Sequence, residues 1–530
     1  MSQPNFIVIM TDQHRADHLG CYGNSIIQTP HIDSIAARGI RFEHFYVACP
    51  ICMPNRIVFM TGRMPSVNGS RHNGIPLDRN AVTFVDLLRH AGYRTALIGK
   101  CHLQNMTNKV VPGPSVPLAS LSEELRDASR ERRVGEEYEA ELMHLWRADP
   151  NRSFPTPYYG FDTVRLADGH GDQVQGHYTK WLLDRHPDPD SLRGWQNALP
   201  ASGLRAPQAW RTAVREELYP TSFVAEETIR YLEAYGAGGR EEPFFLHCSF
   251  PDPHHPFTPP GRYFDMYDPD RIPLPASFRE VDEQEPPFLT QLRQLAAVGR
   301  SNTSGPVPFA TTDELAVRQM IALTYGMITM IDDGVGRVLS VLERLNLDKN
   351  TVVVFTSDHG DFMGDHGLML KHGLHYEGVL HVPFLWADPD DVRPSVSQVL
   401  GGTIDIGSTI LARAGLAAAN GNQGFDIVSC TRSGQPPDRF GLMVEEDELG
   451  VHLGTDKGLR TRTFLTPRWR LTLWDAVERG ELFDRKVDPD ELHNLWSSPE
   501  HQAKKGELIE MMLREKIRLG DCATLTHFVA

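Results

Sequence analysis

Phe6-Ile-Val-Ile-Met10 runs without a break into Thr11-Asp12-Gln13-His14-Arg15, and Thr351-Val-Val-Val-Phe-Thr-Ser357 runs in the same way into Asp358-His359-Gly360-Asp361. A short, continuous apolar run is what a strand buried on both faces of a parallel sheet requires. The β-branched residues of the second run favour the same state. Two further runs behave alike. Thr95-Ala-Leu-Ile98 leads into Gly99-Lys100-Cys-His102, and Pro243-Phe-Phe-Leu-His-Cys-Ser-Phe250 leads into Pro251-Asp-Pro-His254-His255-Pro256-Phe257. In an open α/β sheet, ligands bind outside the carboxyl ends of the parallel strands. One histidine or one aspartate after a strand is often only a satisfied ring or a helix cap. Four strands that deliver such groups to one edge are poorly explained as solvated surface.

The intervening segments supply helices. Residues 31–38 read as a short one, and Thr83 can cap another whose apolar positions include Phe84, Leu87, Leu88 and Ala91, with Gly92 as the stop. Further helices are expected over 221–236, over Thr312 to Leu345 with a break near Asp332-Asp333-Gly334, and over Thr403 to Ala414. His381-Val-Pro-Phe-Leu-Trp386 reads as a fifth strand. Beyond about residue 435 the pattern changes. Residues 459–474 alternate like an antiparallel hairpin, Glu481-Leu-Phe-Asp484 follows, and an amphipathic helix is expected near 503–518. The expected fold is α/β: a large mixed, mainly parallel sheet flanked by helices, with a smaller C-terminal antiparallel-sheet α+β domain. The expected boundaries are 1–435 for the catalytic domain, with insertions at about 104–222 and 258–311, and 436–530 for the small domain and tail. A helix is expected inside the first insertion, roughly from Leu121 to Leu145.

The chain has 530 residues, 40% hydrophobic and 23% charged, which is ordinary for a globular enzyme. Its net charge of −16 argues against nucleic acid as a partner. Seven scattered cysteines make no disulfide framework. The start, Met-Ser-Gln-Pro-Asn, lacks a basic leader region, and no apolar stretch approaches the roughly 20 residues that cross a bilayer. The expectation is a cytoplasmic protein without a membrane partner.

Cys52-Met-Pro54-Asn-Arg56 concentrates the chemistry. Pro54 suits the first turn of a helix, Ile57 to Met60 can continue it, and Gly62 can end it. Cys52 then lies at a helix N-terminus, which favours an anion, and Arg56 adds a permanent positive charge. The pattern C-x-P-x-[KR] is expected by chance about 0.05 times in a chain of this composition. Asp12, Gln13, Asp358 and His359 offer three oxygen-type ligands and one imidazole, a set that suits Ca²⁺ or Mn²⁺ better than a thiolate zinc site. Lys100 and His102, two apart on an extended segment, point to the same side. With Arg56, Lys371 and a histidine from 254/255 they surround a small tetrahedral anion. The implied chemistry is attack on a sulfuryl or phosphoryl centre.

These motifs resemble those of type I sulfatases of the alkaline phosphatase superfamily, in the arylsulfatase and phosphonate monoester hydrolase branch. The matching pieces are Asp12-Gln13, C-M-P-N-R with Thr61-Gly62-Arg63, Gly92-Tyr-Arg-Thr95, Gly99-Lys100-Cys-His102, Pro253-His254-His255-Pro256, Ser357-Asp358-His359-Gly360, Lys371, Tyr376-Glu377, Val382-Pro383, Glu481-Leu-Phe-Asp484 and Asp488-Pro489. The resemblance implies an alkaline phosphatase-like catalytic domain and one divalent metal ion. It also implies that a formylglycine-generating enzyme oxidises Cys52 to Cα-formylglycine, whose hydrate has one oxygen on the metal and attacks sulfur. By the same analogy His102 is the base for collapse of the ester, Lys371 and His254 bind the substrate and assist the leaving oxygen, and Arg56 and Lys100 orient the diol. Asn73 is a further substrate contact, and the P-H-x-P pattern favours His254 over His255. Gln13 is like the phosphonate branch, whereas the Lys100/His102 pair is like true sulfatases. Two activities therefore stand open, sulfate monoester hydrolysis first and phosphonate monoester or phosphodiester hydrolysis second. A third reading is a binding protein in which Cys52 stays a thiol. The helix near 503–518 and the tail to Ala530 either dock on their own domain or, by the resemblance, reach a neighbouring subunit of a dimer or tetramer.

Overall fold

A computed structural model of the chain describes residues 3–109, 122, 125, 133–239, 242–304, 308–448 and 458–524. Nine strands form the main sheet: β1 (Asn5–Thr11), β2 (Ile40–Phe42), β3 (Arg94–Gly99), β4 (Thr163–Asp168), β5 (Gln175–Gly176), β6 (Phe244–Ser249), β7 (Thr351–Ser357), β8 (Phe384–Ala387) and β9 (Ser395–Ser397). Their order is β9-β2-β8-β7-β1-β6-β3-β4-β5. The run β7-β1-β6-β3-β4 is parallel throughout. A second sheet of four antiparallel strands follows in chain order: β10 (Leu442–Glu448), β11 (Leu459–Leu465), β12 (Trp469–Trp474) and β13 (Glu481–Asp484). The mixed, mainly parallel sheet and the small antiparallel one are the architecture expected from the sequence.

Alternation along β1 shows how the sheet is buried. Phe6, Val8 and Met10 pack into the core shared with helix α1 (Cys52–Thr61). Ile7 and Ile9 face the opposite core, built with α2 (Pro220–Ala237) and α3 (Glu314–Arg344). Every residue of β1, β6 and β7 is buried, as a strand covered on both faces demands.

Four expectations need correction. The helix α3 runs unbroken through Asp332-Asp333-Gly334. Asp332 is buried because its carboxylate accepts the amides of His31 and Ile32, at 3.2 and 2.7 Å, at the start of the short helix Pro30–Ala36. Two of the three glycines of α3 serve close packing: a Cβ on Gly326 would lie 2.2 Å from the Tyr263 carbonyl oxygen, and one on Gly336 2.6 Å from the His31 ring. The strand expected at 381–386 begins only at Phe384 and is antiparallel to β7, because Glu377–Leu380 is helical and Pro383 has no amide to donate. The segment 104–222 does not merely decorate the sheet: it contributes β4 and the two-residue β5, and burial alternates over the first four residues of β4, at the sheet margin, so that no continuous apolar run marked it. Of the helix expected from Leu121 to Leu145, residues 121, 123, 124 and 126–132 lie outside the described residues. Leu125 is helical, but between residues 133 and 142 the chain makes only the turn Glu136–Tyr138, preceded by Gly135 at φ 127, before a helix starts again at Met143, so the expected helix does not run through to Leu145. The terminal helix α4 spans Gln502–Arg518, and residues 525–530 of the tail lie outside the described set.

Two glycines of α3 give opposite expectations for the same substitution. At Gly334 a Cβ would make an ordinary 3.5 Å contact with Ala225, so Gly334→Ala should gain the helix propensity of alanine, about 1 kcal/mol. Gly326→Ala should instead destabilise, since the Tyr263 backbone cannot withdraw. Thermal unfolding of the two variants should show Tm rising for the first and falling for the second.

Candidate active site

Helix α1 starts at Cys52 because Ile51 is extended (φ −126, ψ 136), and it ends where Gly62 turns left-handed at φ 63. Asn55 fastens that start. Its Oδ1 accepts from Ala48 N at 3.1 Å, Cys49 N at 3.3 Å and Thr403 Oγ1 at 2.7 Å, and its Nδ2 donates to the Asp358 carbonyl. The Cys52 turn is thereby tied to the end of β7. Gly99 performs a similar service beside it: at φ +112, with Ser249 O only 1.7 Å from where a Cβ would sit, it lets β3 pass β6 and deliver Lys100.

The residues singled out in the sequence meet at the carboxyl edge of the sheet. Cys52 Sγ lies 3.0 Å from His359 Nε2, 3.2 Å from Lys371 Nζ and 3.8 Å from Asp12 Oδ1. Arg56 Nε donates to Asp358 Oδ2 at 2.7 Å, and its Nη1 donates to Ser249 Oγ at 2.9 Å. Lys100 Nζ donates to Asp12 Oδ2. Lys371 Nζ donates to Gln13 Oε1 and His254 Nε2, each at 3.0 Å, and lies 2.9 Å from His359 Nε2. His255 stands one step back, with Nδ1 3.2 Å from Gln13 Nε2. His102 is buried at a left-handed φ of 57, and its Nδ1 has no hydrogen-bond partner among the described residues. Asn73 takes a different place: its Oδ1 accepts from Met53 N at 3.3 Å, so its contact is with the first turn of α1 and not with the cations.

Burial sets the electrostatics. It opposes the charge of Asp12, but Lys100 and Arg56 hold that carboxylate well below its usual range. Desolvation, then Lys100 and Arg56, push His102 well below the ordinary histidine value. His254 falls likewise through burial and its neighbours His170 and Lys371. Burial lowers His359 to about 4 and raises the Cys52 thiol. The rings are therefore neutral near pH 7, able to accept protons or to ligate.

The carboxylates of Asp12 and Asp358, His359 and the Cys52 side chain converge with all four ligand atoms within 4.8 Å of one another. Two carboxylate oxygens, a neutral imidazole and the adjacent Gln13 amide oxygen fit a hard divalent cation. Sequence reasoning missed three residues here. His170, at the end of β4, accepts from Lys100 Nζ at 2.8 Å and stacks on His254 with centroids 3.6 Å apart. Asp361 accepts from Gln13 Nε2, and Asn55 holds Asp358 as described. His170 was hidden in a segment with weak periodicity. Asn55 lies inside the C-M-P-N-R stretch, where its polar side chain in a buried helix was the available signal.

Comparison with known proteins identifies the family. Residues 4–416 match the sulfatase family model, and residues 364–518 match that of the N-sulphoglucosamine sulphohydrolase C-terminal region; the chain belongs to the sulfatase family. It is 27% identical to an arylsulfatase of Clostridium perfringens over 97% of this chain and 94% of that one. It is 25% identical to the multifunctional alkaline phosphatase superfamily protein PehA of Trinickia caryophylli over 100% and 98%. Among solved structures, the phosphonate monoester hydrolase of Agrobacterium radiobacter shares the fold with a TM-score of 0.74 at 22% identity, covering 99% of this chain and 98% of that one.

Asn55→Ala should strip Cys49 N, the Thr403 hydroxyl and the Asp358 carbonyl of a buried partner at once, while Ala48 N keeps Thr403 Oγ1 at 3.1 Å. At about 1–3 kcal/mol for each group left unsatisfied, a loss of several kcal/mol is expected, read as a large fall in Tm. A Tm unchanged within a degree would contradict the role given to Asn55.

Proposed function

We propose that this sulfatase-family enzyme hydrolyses sulfate monoesters through a formylglycine hydrate derived from Cys52. The position of Cys52 carries the reading. It is the first residue of α1, buried, with its side chain between the His359 ring, the Lys371 ammonium and the Asp12 carboxylate. Burial, followed by Asp12, raises the pKa of the thiol, so the site does not favour a thiolate nucleophile. It suits an oxygen nucleophile instead.

The chemistry then runs in two halves. A modifying enzyme and its oxidant convert the Cys52 thiol to an aldehyde, and water adds to give a geminal diol. One hydroxyl, having given its proton to water, attacks sulfur as an oxyanion: an O–S bond forms, the S–O bond to the alcohol breaks, and the leaving oxygen takes a proton from Lys371, which is bonded to His254 Nε2. The second hydroxyl then yields its proton to His102, the C=O bond re-forms, and the C–O bond to sulfate breaks. A neutral His102 is needed for that last step, and burial beside Lys100 and Arg56 keeps it neutral. Arg56 and Lys100 stabilise negative charge on the diol. A divalent ion, Ca²⁺ or Mn²⁺, held by Asp12, Gln13, Asp358 and His359, would supply the positive charge that polarises the ester oxygens.

The mass of the Cys52 peptide from active enzyme tests this directly. Conversion to the aldehyde removes about 18 Da, which no step of ordinary thiol oxidation does. Active enzyme carrying only unmodified cysteine would end the proposal.

A second reading, phosphonate monoester or phosphodiester hydrolysis, is favoured by one observation. Gln13, an amide where a further carboxylate would stand in many relatives, donates to Asp361 and accepts from Lys371, leaving the metal site less negative. The Lys100/His102 pair supports the sulfate reading. The ratio of kcat/KM for an aryl sulfate to that for the matching phosphonate monoester and phosphodiester should exceed one; preference for phosphorus by orders of magnitude would reverse the order.

A further inference from the structure

Lys371 lies on a strained loop. Leu370, His372 and Gly373 all have left-handed backbones, at φ 70, 97 and 74. Two of them are not glycine, and each such residue costs about 1–3 kcal/mol. Such a loop keeps its shape only if its surroundings over-determine it, and two sets of buried groups do so. On the side of the large sheet, Asp361 Oδ1 accepts from Leu370 N at 3.0 Å and Met363 N at 2.8 Å, while its Oδ2 takes the Gln13 amide.

On the other side the four-stranded sheet grips Gly373 by both of its peptide groups. Glu446 of β10 accepts Gly373 N at 3.0 Å on each carboxylate oxygen. The Gly373 carbonyl accepts from Trp474 Nε1 of β12 at 2.9 Å and Thr461 Oγ1 of β11 at 3.3 Å. Glu446 is itself fixed. Its Oε2 takes His375 Nε2 at 2.9 Å, and His375 Nδ1 meets Thr463 Oγ1 at 2.8 Å. Glu446 and His375 are fully buried, so this polar network has no contact with solvent to excuse it. It satisfies peptide groups two residues from the lysine whose Nζ stands 3.2 Å from Cys52 Sγ.

We infer that Glu446 is a positioning residue for Lys371, and that the C-terminal sheet, through Glu446, Trp474 and Thr461, sets where the Lys371 ammonium meets the substrate. The inference rests on the proposed role of Lys371 at the reacting ester. A lysine side chain is a flexible four-carbon stem. Its head group can be held to within a fraction of an ångström only if the backbone that carries it does not move. The small sheet supplies that anchor, and the strain explains why an anchor is needed.

A double-mutant cycle tests it on full-length, formylglycine-bearing enzyme with an activated aryl sulfate. Glu446→Gln should lower kcat/KM about 10- to 100-fold, the range for buried groups that orient a ligand. In a Lys371→Ala background the same change should have little further effect, because the residue that it positions is gone. Trp474→Phe keeps the ring but removes the N–H; it should give a smaller loss, equally dependent on Lys371. It also serves if Glu446→Gln folds poorly. Additive losses in the two backgrounds, or wild-type activity in both Glu446→Gln and Trp474→Phe, would overturn the inference alone. Unchanged activity in Lys371→Ala would overturn the role of Lys371 together with it.

Discussion

Asp12 and Asp358 follow neighbouring parallel strands in register, with Thr11 opposite Ser357, so two carboxylates emerge side by side at a fully buried edge. Adjacent strands are about 4.8 Å apart, and two like charges at that spacing drive one another toward protonation unless cations intervene. Arg56 and Lys100 intervene, reaching the pair from a helix and from another strand. A buried ion network of this kind adds little net stability, since desolvation offsets the attraction. Its value lies in keeping a concentrated, ionised and preorganised set of oxygens and cations where water is scarce.

Around that charged centre lies a second set of groups whose task is backbone geometry. Asn55 ties the start of α1 to the end of β7, Gly99 permits β3 to cross close to β6, and Asp361 with Glu446 hold the Lys371 loop. All are buried, and Asn55, Asp361 and Glu446 each satisfy peptide groups that helix or sheet ladders leave unpaired. The small C-terminal sheet thereby belongs to the chemistry of the large one. His170 links the segment 104–222 to the same centre by its contacts with Lys100 and His254.

Much of this was legible in the chain because parallel strands write themselves plainly. An apolar run buried on both faces must end where the sheet ends, and the polar residues that follow it must share one edge. Asp12, Lys100, His254 and Asp358 were found by that rule, and the resemblance in their motifs pointed to the family that the comparisons then showed. What the rule could not reach were residues whose meaning depends on a partner far along the chain. Glu446 looks like one more charge in an acidic strand until it meets Gly373, 73 positions earlier. The aspartate and glycine at 332–334 suggested a helix break until their packing partners appeared. The sequence by itself determined which strands are buried and which chemical groups stand at their ends, because hydrophobic burial is written locally, in period and composition. Only the tertiary structure decided which backbone amides the buried carboxylates satisfy, because a hydrogen bond is directional and joins residues that no local pattern relates.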